Sequence, residues 1–406
     1  MSEARRPRVL VMNQYYWPGV EATAHLLSQL CEALADEFEI TVITGMLWGV
    51  ESEPGRSERN GVRIVRVRST SYDRSKLLPR AVNYVTYLAQ SFRDALLVDP
   101  PDVVLCMTDP PVIGDIALVV ARRHRVPLVV ISQDVFPEIA VALKRLENPA
   151  LVAILRFLVG FYLRRADRVV AIGETMRARL VEKGTPPDRV TVVANWTDPQ
   201  AIEPLSKDTP WAREQGFSDR FVVMHSGNVG HAQNLDALVR SGTFLRDIDD
   251  LVIAVIGAGA RHDALVDLAA LLAVDSVCFL PYQPREVLPQ SLSAGDVHVV
   301  GLASGLAGYV VPSRLYGILA AARPVIVAAE KHSETAQLVE RVGCGVVVEP
   351  GRPDRLAAAI REAHDGNLDL DGMGRRGREW VVAEGGREPA VRRYRELLRD
   401  VTGTLA

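Results

Sequence analysis

Gly305-Leu306-Ala307-Gly308-Tyr309-Val310-Val311-Pro312-Ser313-Arg314-Leu315-Tyr316-Gly317 joins a glycine-punctuated loop to a helix whose first turn reads Pro, Ser, Arg. Proline is tolerated in a first helical turn because the N–H it lacks would be unpaired there anyway. The free N–H groups of such a turn, with the Ser313 hydroxyl and the Arg314 guanidinium, make an anion site. A short strand, Asp296-Val297-His298-Val299-Val300, is expected to feed the loop from a sheet edge. In this order, strand, loop and helix suit a nucleotide diphosphate. The same residues also read as a capped helix with a surface arginine, and the rest of the chain decides between the two.

Working outward, short β-branched runs alternate with helical patterns from end to end. In the first half they fall at residues 8–12, 40–44, 62–67, 103–107, 128–131 and 168–172, with a helix predicted over 22–36. The pattern restarts at 221–224 and continues at 251–256, 277–280, 297–300, 324–327 and 345–348. Several runs are apolar nearly throughout, which marks parallel strands buried on both faces. The predicted class is α/β, with two doubly wound, Rossmann-like parallel sheets in series. Residues 195–210, rich in Pro, Asp and Thr, read as the join. The expected domains are 1–200 and 201–385. A terminal helix at 386–406 carries Val391, Tyr394, Leu397 and Leu398 at helical spacing and is expected to pack back on the first domain. Ligands of open α/β sheets sit beyond the carboxyl ends of the strands. With two such sheets, the expected site is a cleft where those ends face each other.

The 406 residues carry 47 basic and 50 acidic side chains, a net charge of −3, so nothing global suggests nucleic acid. No run of about 20 apolar residues is free of charge, and no apolar signal-peptide core precedes the first strand. Cys31, Cys106, Cys278 and Cys344 lack CxxC spacing and read as buried thiols of a reducing compartment. These features suggest a cytoplasmic protein without metal or disulfides.

Five further loops fall at predicted strand ends. Ser226-Gly227-Asn228-Val229-Gly230-His231-Ala232-Gln233-Asn234 offers glycines for close backbone approach, with Asn228 and Gln233 as neutral hydrogen-bonding groups. Ile256-Gly257-Ala258-Gly259 is a second backbone-exposing turn. Leu280-Pro281-Tyr282-Gln283-Pro284 is placed to pair with a base edge. In the first half, Asn13-Gln14-Tyr15-Tyr16-Trp17-Pro18-Gly19 brings the Gly19 turn to a helix start. Residues 128–131 lead into Ser132-Gln133-Asp134-Val135-Phe136-Pro137-Glu138, which sets Asp134 at a strand's carboxyl end. A helix cap at Asp134 with a solvated Glu138 is the plainer alternative. His25 reads as packed or solvated, and the acidic groups at 247–250 and 369–371 as solvated turns.

Taken together, these residues resemble a GT-B glycosyltransferase of the retaining family-4 group, and in particular its colanic-acid-type exopolysaccharide branch. The carriers are Gln14-Tyr15-Tyr16-Trp17-Pro18, Met107-Thr108-Asp109-Pro110-Pro111, Gln133-Asp134-Val135-Phe136-Pro137-Glu138, Asn195-Trp196-Thr197-Asp198, Ser226-Gly227-Asn228-Val229-Gly230 and the stretch from Gly308 to Gly317. The resemblance implies a UDP- or GDP-sugar donor, a glycan or polyprenyl-diphosphate-linked acceptor, and no metal. It implies Asp134, Glu138 and Arg314 as catalytic candidates. As donor-binding candidates it implies Gly19, Gly227, Asn228, Gln233, Gly257, Tyr282, Gln283, Ser313, Arg314, Tyr316 and Glu334. The chain also departs from the family. Two glutamates eight positions apart correspond to Tyr309 and Gly317, and a loop Arg and Lys correspond to Asn228 and Gln233. Arg314 is then the best-placed partner for the diphosphate, with Glu334 a weaker candidate for the ribose or sugar.

Alternatives remain open at this level: a sugar-nucleotide epimerase of the same fold, or a non-catalytic sugar-nucleotide-binding scaffold. A nicotinamide dehydrogenase fits poorly, because no GxGxxG follows the first strand. Residues 150–163 are apolar on nearly every face and too short to span a bilayer. Lys144, Arg145, Arg164, Arg165 and Arg168 bracket them. A second basic segment, residues 74–80, precedes the apolar-aromatic run 82–88. Both suggest a peripheral patch for anionic lipid on the inner face of the cell membrane.

Overall fold

The computed structural model describes residues 5–19, 22–47, 49, 52–72 and 77–403. It resolves into two compact units: residues 1–194 with 390–406, and residues 195–389.

The first unit opens with β1 (Arg8–Met12), α1 (Ala22–Leu34), β2 (Glu39–Thr44), β3 (Gly55–Arg59) and β4 (Val62–Arg66). It continues through α2 (Leu77–Ala95), β5 (Val103–Met107), α3 (Ile113–His124) and β6 (Leu128–Ser132). After these come α4 (Glu138–Ala142), α5 (Pro149–Arg165), β7 (Arg168–Ala171), α6 (Glu174–Glu182) and β8 (Val190–Val192). The strands lie in the order β3-β4-β2-β1-β5-β6-β7-β8. Every strand is parallel to its neighbour except β3, which pairs antiparallel with β4.

The sequence analysis missed β3 because Gly-Arg-Ser-Glu-Arg has no β-propensity. Its signal lay next door: Asn60 and Gly61 both take positive φ, the two-residue hairpin turn that Asn-Gly favours. A charged, exposed strand suits a sheet edge, where it discourages further pairing. Inside the sheet, β5 and β6 are buried at all five positions, as strands covered on both faces must be.

The second unit contains α7 (Pro210–Glu214), β9 (Phe221–Ser226), α8 (Asp236–Ser241), β10 (Leu251–Ile256) and α9 (His262–Leu272). Next come β11 (Val277–Leu280), α10 (Leu288–Ser293), β12 (Val297–Gly301), α11 (Arg314–Ala320) and β13 (Val325–Ala328). It ends with α12 (Glu334–Val342), β14 (Gly345–Val348), α13 (Pro353–His364) and α14 (Leu370–Trp380). Its all-parallel sheet runs β11-β10-β9-β12-β13-β14. The strand expected at a sheet edge, β12, is therefore interior, flanked by β9 and β13. Val223, Ile253, Val255, Val299 and Ile326 on the strands pack with Leu238, Leu265 and Ile360 on the helices to form the main core.

The last helix, α15 (Arg387–Thr402), carries most of its length back to the first unit. Val391, Tyr394, Leu397 and Leu398 are its buried face, as their spacing predicts. Arg395 pairs with Asp36 and Glu37, and Arg399 with Glu37. All four cysteines are free thiols. Among the described residues, no helix is long and apolar enough to cross a membrane.

Candidate functional site

In each sheet the chain winds outward in one direction, then returns to wind in the other. The crevice for a ligand lies where the order reverses, outside the carboxyl ends of the two strands concerned. In the second unit these are β9 and β12. Their exits carry the Gly227–Gln233 loop and the loop leading to Arg314, so topology brings together two motifs about 80 positions apart.

The loops after β9 and β10 extend the ladder past the strands. Gly227 N–H donates to the Ile256 carbonyl and Val229 N–H to the Ala258 carbonyl, both at 2.9 Å. Gly257 sits at φ +137°, and a Cβ there would stand 2.0 Å from the Gly227 carbonyl oxygen. Its glycine is explained by the closeness of two loops, rather than by the ligand approach expected from sequence. Gly227 is different, since the atoms nearest a Cβ there belong to the Arg314 guanidinium, its Cζ at 3.6 Å.

Arg314 begins α11, with Ser313 at the N-cap making no side-chain cap bond. Pro312 therefore precedes the helix and does not occupy its first turn. The guanidinium is half-buried, and its Nη1 reaches the His225 ring at 2.5 Å from Nε2 and 3.0 Å from Nδ1. Nη2 donates to the Asn228 carbonyl at 3.4 Å. Among the described residues, no carboxylate forms an ion pair with Arg314. Burial brings its pKa down to about 10, which leaves it charged at neutral pH. His225 is fully buried on β9, and burial followed by the Arg314 charge hold it well below the ordinary histidine range. Sequence reasoning passed over His225 because it lies inside an apolar run; its one signal was its place two residues before Gly227.

Several expected ligand groups are already engaged. Gln233 Oε1 accepts from Gly230 N–H at 3.0 Å, closing its own loop. The Asn228 side chain folds over the loop, within 2.8 Å of where a Cβ on Gly230 or Gly259 would stand. Gln283 accepts from the Trp211 indole N–H at 2.8 Å and donates to the Pro281 carbonyl at 2.9 Å, so it braces α7 and does not present itself to a base. Tyr316 is a core residue, stacked on Trp380 with ring centroids 6.0 Å apart. Tyr282 is exposed, near enough to Arg314 for the cation to oppose the upward push of burial on its hydroxyl. Glu334 is half-buried at the start of α12, beside Tyr316, whose pKa burial and that carboxylate both raise. The neighbouring Glu330, unnoticed in sequence, accepts from Gly305 N–H at 3.2 Å and fastens the loop after β12.

The first unit reverses direction at β1 and β5. Gly19 N–H donates to the Tyr16 carbonyl, closing a turn after β1, and residues 20 and 21 of that loop lie outside the described residues. Arg66 spans the neighbouring loops by donating to the Gly45 and Trp17 carbonyls. At the end of β6, Asp134 Oδ1 accepts from the Thr108 hydroxyl at 3.0 Å. Burial and then the Asp109 charge push its pKa up to about 7, against the smaller opposing effects of Thr108 and Arg80. Asp109 and Arg80 join the site here, although sequence reasoning had assigned Arg80 to a membrane patch. Arg80 Nε donates to the Tyr84 hydroxyl at 2.7 Å. Burial opposes its charge, but Tyr84, Tyr15 and Asp109 outweigh that.

Glu138 is not a free acid. Oε2 pairs with Lys183 at 2.6 Å and Oε1 with Arg156 at 3.1 Å, which fastens α4 to α5 and α6. Of the acidic groups read as turns, Asp247 pairs with Arg361 and Asp369 caps α14. Among the described residues, no group of three or more His, Cys, Asp or Glu is arranged to hold a metal.

Comparison with known proteins fits this architecture. Residues 19–196 match the glycosyl transferase 4-like domain and residues 208–380 the glycosyl transferases group 1 domain. The chain is 31% identical over 205 residues to WcaI of Escherichia coli, whose name places it in colanic acid biosynthesis, a match covering 50% of each protein. It is 28% identical to the Pseudomonas aeruginosa protein WbjE, named as a glycosyltransferase, over 90% of this chain and 91% of that one. Among solved structures, sucrose-phosphate synthase of Thermosynechococcus elongatus superposes with TM-score 0.81 at 17% identity, covering 98% of this chain and 100% of that one. HepE of Anabaena, crystallised with UDP, gives TM-score 0.73 at 14% identity, covering 97% of this chain and 100% of that one. Two family models in tandem, on two doubly wound sheets, place the chain among the GT-B glycosyltransferases, with a GT4-like domain followed by a group 1 domain.

Proposed function

We propose that this glycosyltransferase moves a sugar, with retention, from a UDP- or GDP-sugar to a hydroxyl of a lipid-linked glycan in exopolysaccharide or other cell-surface polysaccharide synthesis. The observation that carries the reading is Arg314, a charged guanidinium at the second unit's switch point with no carboxylate paired to it among the described residues. Cleaving an anomeric C–O bond builds negative charge on the departing diphosphate, and a preorganised cation stabilises that charge most where water is excluded. The complexes of HepE with UDP and UDP-glucose support this class of donor, and the name of WcaI supports the polysaccharide setting. Asp134, rather than Glu138, orients the acceptor hydroxyl or donor sugar, while the leaving phosphate helps to deprotonate the acceptor. No metal takes part in this reading, so activity should survive EDTA; loss on chelation, restored by Mg²⁺ or Mn²⁺, would overturn that part.

The lipid-linked acceptor draws on α5. One side of this helix packs on α3, where Tyr162 donates to the Pro111 carbonyl. The other side exposes Leu151, Ile154 and Phe157, the last 63% accessible. Lys144, Arg145, Arg164 and Arg165 stand exposed near its ends, while Arg168 is paired with Asp400. In α2, Leu78, Val82 and Val85 are exposed, but the basic residues Arg74 and Lys76 lie outside the described residues. An apolar face edged by cations suits peripheral binding to anionic lipid on the cytoplasmic side. Flotation with anionic and neutral vesicles at low and high salt tests this; equal binding to both, or none, rejects it. The donor is tested with a panel of UDP-, GDP- and dTDP-sugars, followed by product analysis with a glycan acceptor. If no nucleotide sugar shifts the melting temperature or is consumed, the proposal fails.

A further inference from the structure

Arginines of the second unit are held in two ways: some, such as Arg378, donate to backbone carbonyls, and others pair with a carboxylate. Arg361 grips Asp247 through both terminal nitrogens at 2.7 and 2.8 Å, and Arg352 grips Asp354 through Nε and Nη2. In such pairs the carboxylate orients the guanidinium and cancels its charge in one step. At Arg314 these two jobs are separated. The side chain is aimed by a buried imidazole and a backbone carbonyl, both neutral acceptors.

We infer that His225 is the positioning residue of the diphosphate site, a neutral acceptor that orients Arg314 while leaving its charge available to the ligand. The inference rests on the proposed role of Arg314 in phosphate binding. Three features of the fold support it. His225 is placed by register, opposite Val255 on β10, so its ring is fixed by the sheet and not by a mobile loop. Its ring nitrogens lie 3.4 Å from the Val299 and Asn228 carbonyls, so the surrounding contacts are also uncharged. A neutral imidazole has one N–H and one lone pair, and a guanidinium has only donors, so Arg314 must meet the lone pair. A protonated ring would repel it; burial and the adjacent guanidinium both oppose that form.

A carboxylate in place of His225 would aim Arg314 equally well but neutralise it. A half-buried cation with no counter-ion is poorly solvated, so it gains more from a doubly charged ligand than a paired one would. On this inference His225 acts on the phosphates through Arg314, and not on the nucleoside.

The test compares binding of UDP with uridine, and of GDP with guanosine, to the full-length protein by ligand-observed NMR and calorimetry. The variants are His225→Glu, His225→Leu, His225→Asn and Arg314→Ala. For the nucleotide that binds, His225→Glu should lower diphosphate affinity roughly tenfold or more, the scale of one charge-assisted hydrogen bond. Nucleoside affinity should not move. His225→Leu, which introduces no buried charge, keeps the test open should the Glu variant fail to fold; it should also lower the diphosphate-to-nucleoside ratio. His225→Asn restores a neutral acceptor and should restore most of that ratio. Parallel loss of diphosphate and nucleoside in folded His225→Leu would show a merely structural histidine and overturn the inference. So would an unchanged ratio in His225→Leu while Arg314→Ala lowers it. If Arg314→Ala itself leaves the ratio unchanged, the phosphate reading of Arg314 falls first.

Discussion

The strand ends at and beside the two switch points carry different sets of charged groups. Beyond β9 and β12, one guanidinium is held by neutral partners, and among the described residues no carboxylate is paired with it. Beyond β5 and the adjacent β6, two carboxyl groups, Asp109 and Asp134, lie within electrostatic reach of each other and of Arg80, and the pKa of Asp134 is pushed up to about 7. One sheet presents a cation aimed by neutral partners; the other presents two carboxyl groups with a cation, Arg80, among them. The same doubly wound frame serves both, because the frame only fixes where strand ends converge. The side chains at those ends supply the chemistry. The comparison also separates groups that merely sit at strand ends from groups left available there, since Glu138 and Gln283 sit near such ends but are engaged by structural partners.

Four experiments press on this contrast. The largest effect is expected at Gly257, where a side chain would strike the Gly227 carbonyl at a φ that disfavours any L-residue. Gly257→Val should destabilise the protein by about 3 kcal/mol or more, from strain and overpacking together. Denaturant unfolding measures it; a near-neutral result would mean the two loops are not held together as described.

Next is Arg314→Ala, which should weaken nucleotide-diphosphate binding and slow turnover by roughly tenfold or more, from loss of about 1.5–3 kcal/mol. Titration calorimetry with UDP and GDP reads the affinity, and unchanged values in folded protein remove the second unit's cation from the comparison.

Glu138→Gln is the control for the first unit. It leaves Lys183, whose side chain is only 9% exposed, beside a neutral amide, and should cost about 1–3 kcal/mol of stability. Turnover by the folded variant should be unchanged. A selective fall in kcat with intact stability would return Glu138 to the list of catalytic candidates.

The smallest effect concerns pH. Because the folded-state pKa of Asp134 lies above its value in the unfolded chain, the folded protein binds that proton more tightly. The resulting stabilisation is complete below about pH 4, where the unfolded carboxyl is also protonated, and is lost as pH rises toward about 7. Relative to the wild type, Asp134→Asn should therefore gain melting temperature between pH 4 and pH 7. A difference that stays flat across that range would show that Asp134 titrates like a solvated carboxyl.

Much of the fold was legible because its signals are local. Apolar runs such as residues 103–107 and 251–256 become fully buried strands, and the spacing of Val391, Tyr394, Leu397 and Leu398 gives the buried face of α15. The missed β3 follows the same rule: as a charged edge strand it carries no apolar signature, and only Asn60-Gly61 marked it. The candidate site was less legible, because a side chain's availability depends on partners far away in sequence. Gln283 is engaged by Trp211, Glu138 by Lys183, and Tyr316 by Trp380. Arg80, read as one of a basic run, belongs instead with Tyr84 and Asp109.

By itself, then, the sequence determined the two wound sheets, the loops at their strand ends and the presence of Arg314 in one of them. These follow from periodicity, turn chemistry and motif, which are properties of neighbouring residues. Only the tertiary structure decided which groups keep charge to offer a ligand. That depends on parallel pairing, which sets β9 beside β12 and so brings His225 to Arg314 across 89 positions of chain. Electrostatic and hydrogen-bonding partners act through space, and no local pattern in the chain records them.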